Sequence, residues 1–228
     1  MPRRYWADPG IAAPSVAHLP SLTTGTLPRM DERDVFVLAD RALNDVVARI
    51  RDDQWSMPMP PNFMRRGSDP APTLREIINY HAYDEAWVPA MLEGKTMDEV
   101  GQDAFKGDLL GDEPRANFAA LVERAIAAVR GLDDLQRTVH LTYGDYPARE
   151  YFWHTTQFRA LRAHDIARVI SVEPNLPPEL VQAVWDQVSP HAEEWRSYGV
   201  FPPAVPVPED APLLDRLLGL TGRDPASS

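Results

Sequence analysis

The sequence predicts an all-α protein, a helical bundle with a further C-terminal helix and an extended proline-rich tail. Three observations carry this. Four long segments repeat apolar residues at helical spacing. The 23 prolines cluster near 2–28, 57–72, 174–178 and 202–212, outside those segments. Hydrophobic residues make up 44% of 228 residues, enough for one packed core.

Residues 1–30 read as an irregular N-terminal extension, 31–170 as the bundle, and 171–228 as a C-terminal helix and tail packed on it. The first helix is expected over about Asp31–Arg51. Asp31, Glu32 and Asp34 suit its N-terminal dipole, and Val35, Leu38, Ala42, Val46 and Ile50 form its apolar stripe. Trp55–Pro72 reads as a loop. Thr73 and Glu76 form a capping box that opens a second helix, Thr73–Leu92, which Gly94 ends. A long glycine-bearing connection leads to the third, 114–130, with Pro114 at its start. Residues 138–146 alternate weakly and form either a short strand or an extended arm. The fourth main helix is expected at Ala148–Ile170, a further one at Pro178–Tyr198 bent at Pro190, and a last short one at Leu213–Leu220.

The formal charge of −11 argues against a nucleic-acid partner, which a basic patch would mark. With no cysteine there is no disulfide and no thiolate ligand or nucleophile, which fits a reducing compartment. No apolar run approaches the roughly 20 residues that span a bilayer, and MPRRYWADPG carries no apolar segment after its arginines. The expectation is a cytoplasmic protein with neither a membrane nor a nucleic acid as partner. Phosphate-binding, dinucleotide, serine-nucleophile and HExxH zinc motifs are absent.

Function is sought where the core pattern breaks. On the second helix His81 falls at the centre of the stripe Leu74, Ile77, Ile78, Val88 and Leu92. Glu85 falls on that stripe, and Asp84 and Tyr80 lie along one edge. On the fourth, Arg162 sits within Tyr151, Thr155, Phe158, Ile166 and Val169, with Asp165 beside it and His154 on its flank. A guanidinium does not shed its charge, so a core-facing Arg162 requires a carboxylate or an anionic ligand. Asp84, Glu85 and Asp165 are the available partners. The group reads either as a buried ion pair that fixes helix register or as a polar pocket. His164 points away from Arg162 and reads as a surface or interhelix-packing residue; His140 and His191 have no convergent partner in sequence.

Several stretches resemble the actinobacterial DinB-like proteins related to mycothiol-dependent maleylpyruvate isomerase. They are LREIINYHAYDEAWVPAMLEGKTMDEVG (74–101), GDLLGDEP (107–114), TVHLTYGDYPAREYFW (138–153), HDIARVI (164–170) and LLDRLLGLTGRDP (213–225). The resemblance runs in order over about 31–225 and implies a DinB-like up-and-down four-helix bundle, often a homodimer. The activity it implies is a metal-dependent cis–trans isomerisation that uses mycothiol, with a divalent metal such as zinc held by one histidine on the second helix and an acidic residue and histidine four apart on the fourth. Alignment on AWVP and DIAR places Tyr80, Phe158 and Arg162 at those positions, so the standard metal triad is expected to be absent. A set rebuilt from His81, His154 and Asp84 or Asp165 would require rotated helices.

The expectation is therefore a small-molecule site between the second and fourth main helices. Arg162, Asp84, Glu85 and Asp165 would bind a small anionic molecule or thiol, and Tyr80 and His81 would exchange protons, without a metal. The alternatives are a non-catalytic member with an ion-pair network in place of the metal site, and a member that keeps a metal through displaced ligands.

Overall fold

A computed structural model describes residues 30–60, 63 and 71–226; but for Met30, the expected N-terminal extension lies outside these residues. The described chain is mostly helical, in the order α1 (Glu32–Ala48), α2 (Leu74–Leu92), α3 (Met97–Val100), α4 (Pro114–Gly131), β1 (Thr138–Leu141), β2 (Gly144–Pro147), α5 (Ala148–Val169), α6 (Pro178–Val188), α7 (Ala192–Ser197) and α8 (Leu213–Leu220). None of these helices is long and apolar enough to cross a membrane.

The helix starts follow from local chemistry. Asp31 caps α1 by accepting from the Arg33 amide at 2.8 Å. At α2 the Thr73 hydroxyl accepts from the Glu76 amide at 3.2 Å, and Glu76 accepts from the Thr73 amide at 2.7 Å. Pro114 occupies the first turn of α4, where no amide partner is lost. Gly94, at φ +78°, lets the chain turn out of α2, a conformation a side chain disfavours.

Helix α1 packs along α5 and α4, α2 packs along α4, and α6 lies on α5, α1 and α8. Among the described residues, α2 and α5 make few close backbone approaches and meet through side chains, His81 with Phe158 and Glu85 with Arg159. The shared core draws on Phe36, Leu43 and Val47 of α1, Ile77 and Ile78 of α2, Phe118 and Ile126 of α4, and Phe152 and Ile166 of α5. Trp55 and Met59 also enter it. Backbone bonds from Met59 to Pro72 and from Arg75 to Trp55, both 2.9 Å, fold this connection back onto the start of α2.

Several expectations are corrected. Of the two alternatives for 138–146 the short strand is found, paired as an antiparallel hairpin of Thr138 with Pro147 and Leu141 with Gly144 across Thr142 and Tyr143, a small addition to a mostly helical chain. The expected bent helix over 178–198 is two helices. Pro190 lacks an amide hydrogen and breaks the ladder, leaving α6 and α7. The connection after Gly94 holds the short α3, opened by a capping box of Thr96 and Glu99. The buried face of α1 is broader than the expected stripe: it also takes Phe36, Asp40, Leu43 and Val47, while Leu38 is only half-buried.

The C-terminal segment is tied to α5. Arg223 forms a two-pronged bond with Asp165, at 2.7 and 2.8 Å. Val205 donates to the Gly219 carbonyl at 2.9 Å, and a Cβ on Gly219 would collide with Val207, so the tail crosses α8 where only glycine fits.

The capping box at α2 gives a direct check. Thr73→Ala is expected to lower stability by about 1 kcal/mol in urea unfolding, with Thr73→Ser retaining most of that contribution.

Candidate functional site

The polar residues of α2 and α5 meet, but not in the pairing the sequence suggests. The centre is Arg159, one residue past Phe158 and 1% exposed. Its Nε lies 2.5 Å from Asp40 Oδ1 of α1 and donates to Glu85 Oε1 of α2 at 2.8 Å. Its Nη2 is also 2.8 Å from Glu85. Asp40 and Glu85 are 0% and 1% exposed, so three helices meet at one dehydrated ion cluster. Burial works against the guanidinium charge, and the facing charges of Glu85 and Asp40 overcome it, holding the pKa well above the usual value. For Asp40 burial dominates, reinforced by the charge of Glu85, and the carboxyl is pushed well up.

Arg162, the residue the sequence singles out, is buried at 7% exposure. Its Nη1 donates to the Phe63 carbonyl at 3.1 Å, and its guanidinium lies 4.4 Å from the Phe63 ring centre and 5.1 Å from that of Phe158. Of the three carboxylates expected around it, Glu85 binds Arg159 and Asp165 binds Arg223. Asp84 is half-buried and makes no ion pair among the described residues. The physical reason is helix phase. Arg159 faces α1 together with Phe152, Ala163 and Ile166, so it meets Asp40 and draws Glu85 inward.

The acid–base assignments shift as well. Burial, with help from Asp84, pushes the Tyr80 phenol up, so it stays a donor throughout the physiological range. His81 is 1% exposed, packs its ring 5.1 Å from that of Phe158 and has no hydrogen-bond partner for Nε2 among the described residues. Burial first, then the charges of Arg162 and Arg159, hold it well below the imidazole value, so it is neutral. Asp84 is the group poised near neutrality. Burial raises it to about 7 against the pull of Arg159, with Glu85 adding to the rise. Sequence reasoning gives Asp84 the role of charge partner; the electrostatics make it the stronger proton-exchange candidate.

The hairpin closes one side of this seam. Tyr143 brings its hydroxyl to 3.3 Å from His154 Nδ1, and Tyr146 meets the same ring edge-on at 5.2 Å. Burial lowers the His154 pKa to about 4. His164, expected at the surface or in interhelix packing, is buried beside Asp165. His140, without a partner in sequence, pairs with Asp145 at 2.8 Å across the hairpin.

The residues at the three expected ligand positions do not fit a divalent metal. Phe158 has no donor atom, and Arg162 brings a positive charge. Among the described residues, no group of three or more histidine, aspartate or glutamate side chains is placed to hold a metal ion. Asp165, part of a displaced set, is committed to Arg223, which overcomes burial and holds its carboxyl below the usual range. A separate open cavity of about 370 Å³ lies along another face of α2, between Ala86, Pro89, Phe105 and Arg124, and includes none of the expected site residues. No family model, no curated protein and no solved structure matches this chain.

The position of Asp84 yields a measurable titration. Its carboxyl carbon is expected to titrate in NMR with a midpoint of about 7. Glu85→Gln, by removing a like charge, is expected to move that midpoint down toward the ordinary carboxylate range. Because the folded value lies above the unfolded one, Asp84 favours folding fully below about pH 4 and loses that contribution as pH rises through about 7.

Proposed function

We propose that this chain is a divergent DinB-like protein of the mycothiol-dependent maleylpyruvate isomerase type. In this reading α1, α2, α4 and α5 form the up-and-down four-helix bundle, and α6–α8 are appended. The protein binds a small anionic molecule or thiol in the α2–α5 seam without the family's metal. It works in the cytoplasm, as a homodimer if it follows the family.

One observation carries the reading. Arg162 holds a permanent positive charge at 7% exposure, between two aromatic rings, at a position where the resemblance implies a metal ligand. A dehydrated guanidinium is a strong and geometrically selective anchor for a carboxylate. Around it, Tyr80 supplies a hydrogen-bond donor, His81 a neutral imidazole and Asp84 a proton exchanged near pH 7. That set suits proton movement on an anionic substrate bound with a thiol, which is the chemistry of an isomerase or transferase.

A second reading is favoured by the Asp40–Arg159–Glu85 cluster. In it, the protein is a non-catalytic member whose polar core serves only to hold the helices together.

Maleate, a small dicarboxylate, separates the two. At about a hundred times its Kd a ligand stabilises by about 2.7 kcal/mol. Millimolar maleate is expected to raise the melting temperature of the wild type and of Arg162→Lys, the latter less, and to leave Arg162→Ala unmoved. No shift in the wild type, with Arg162→Ala only lowering the melting temperature, rejects the binding site and leaves the structural reading.

A further inference from the structure

The Asp40–Arg159–Glu85 cluster has an imbalance that the seam reading does not use. Two carboxylate oxygens, Asp40 Oδ1 and Glu85 Oε1, converge on the same Arg159 Nε at 2.5 and 2.8 Å. That nitrogen carries one hydrogen, and it is directed to Glu85. Neither oxygen of Asp40, nor Glu85 Oε2, has a hydrogen-bond partner among the described residues, although all three are buried. With both acids ionised, the cluster would hold one more negative than positive charge, at 0–1% exposure.

Among the described residues, Asp40 makes an ion pair with Arg159 and with no second cation. From α5, Arg159 and the phenol of Tyr151 face Asp40; from α2, Glu85 does, with Asp84 beyond it. The buried residues of α4 are Phe118, Val122, Ala125, Ile126 and Val129, and those of α6 are Leu180, Val181, Val184 and Val188, all apolar. An uncompensated buried carboxylate costs several kcal/mol, whereas a proton on one acid removes the excess charge.

We propose that the core contains a proton-binding site, in which Asp40 retains its proton at neutral pH and donates it to Glu85, so that α1, α2 and α5 close as an electrically neutral unit. The site stands apart from ligand binding at Arg162 and holds whether or not that reading survives. Its consequence is that folding takes up a proton. The raised pKa of folded Asp40 agrees in direction: the contribution is complete below the unfolded value near pH 4 and is lost as pH rises toward the folded value.

Asp40→Asn carries a permanent N–H donor in place of the proton. In urea titrations of the full chain, the unfolding constant of the wild type relative to Asp40→Asn is expected to climb by up to tenfold per pH unit above about pH 4. Parallel pH profiles would overturn the proposal. A second measurement reads the proton itself. At pH 7 the infrared spectrum of Asp84→Asn, which removes the other acid that titrates near neutrality, is expected to show a protonated-carboxyl stretch that disappears when Asp40→Asn is added. If Asp40→Asn does not fold, Asp84→Asn alone decides: with no such band at pH 7, the site does not exist.

Discussion

The burial of the Arg159 guanidinium is the constraint on which the rest depends. Its charge cannot be surrendered, and at 1% exposure water cannot compensate it. Each neighbouring helix therefore contributes an acid at one fixed height: Asp40 from α1 and Glu85 from α2. A slide by one turn, about 5.4 Å, would part Asp40 from Arg159 if α1 moved and Glu85 from Arg159 if α2 moved. The cluster thus sets the register of α1, α2 and α5 in a way that interchangeable apolar residues do not. The ring of Phe36, 4.7 Å from the guanidinium, completes the enclosure.

The electrostatics of the α2–α5 seam follow from that placement. Arg159 and Arg162 lie three residues apart on α5, and together with burial they keep His81 neutral. Glu85 raises Asp84 and Arg159 lowers it, and burial decides the outcome near pH 7. At the far end of α5 the C-terminal strap fastens Asp165 through Arg223, which removes that carboxylate from the seam. Among the described residues, the seam then holds Asp84, the neutral His81 and Arg162 between two aromatic rings.

Much of this was legible in the sequence where the chemistry is local. Asp31, the Thr73–Glu76 box and Pro114 mark helix starts within a few residues, because capping satisfies amides only a turn away. The polar seam was legible too, since His81, Glu85 and Arg162 break apolar stripes and all are buried. Partner choice was not. Asp40 falls in the helically spaced series Phe36–Asp40–Leu43–Val47, and Arg159 in Phe152–Arg159–Ala163–Ile166. These second stripes were readable, but one apolar face per helix hides them. Helices α1 and α5 are packed on more than one side, so both faces are core, and only the three-dimensional arrangement shows which acid meets which arginine.

The interdependence of the three charges is best measured by replacing them singly and together with apolar residues of similar size. Glu85→Leu and Arg159→Met each strand a buried charge, and the loss of a partner in a buried pair typically costs about 3–5 kcal/mol; Asp40→Leu leaves the Arg159–Glu85 pair but removes the group that shares it. The triple replacement strands none. It is predicted to fold with stability near or above the wild type, so the single losses fail strongly to add. Additive losses in the triple variant, or an Arg159→Met protein as stable as the wild type, would contradict the account.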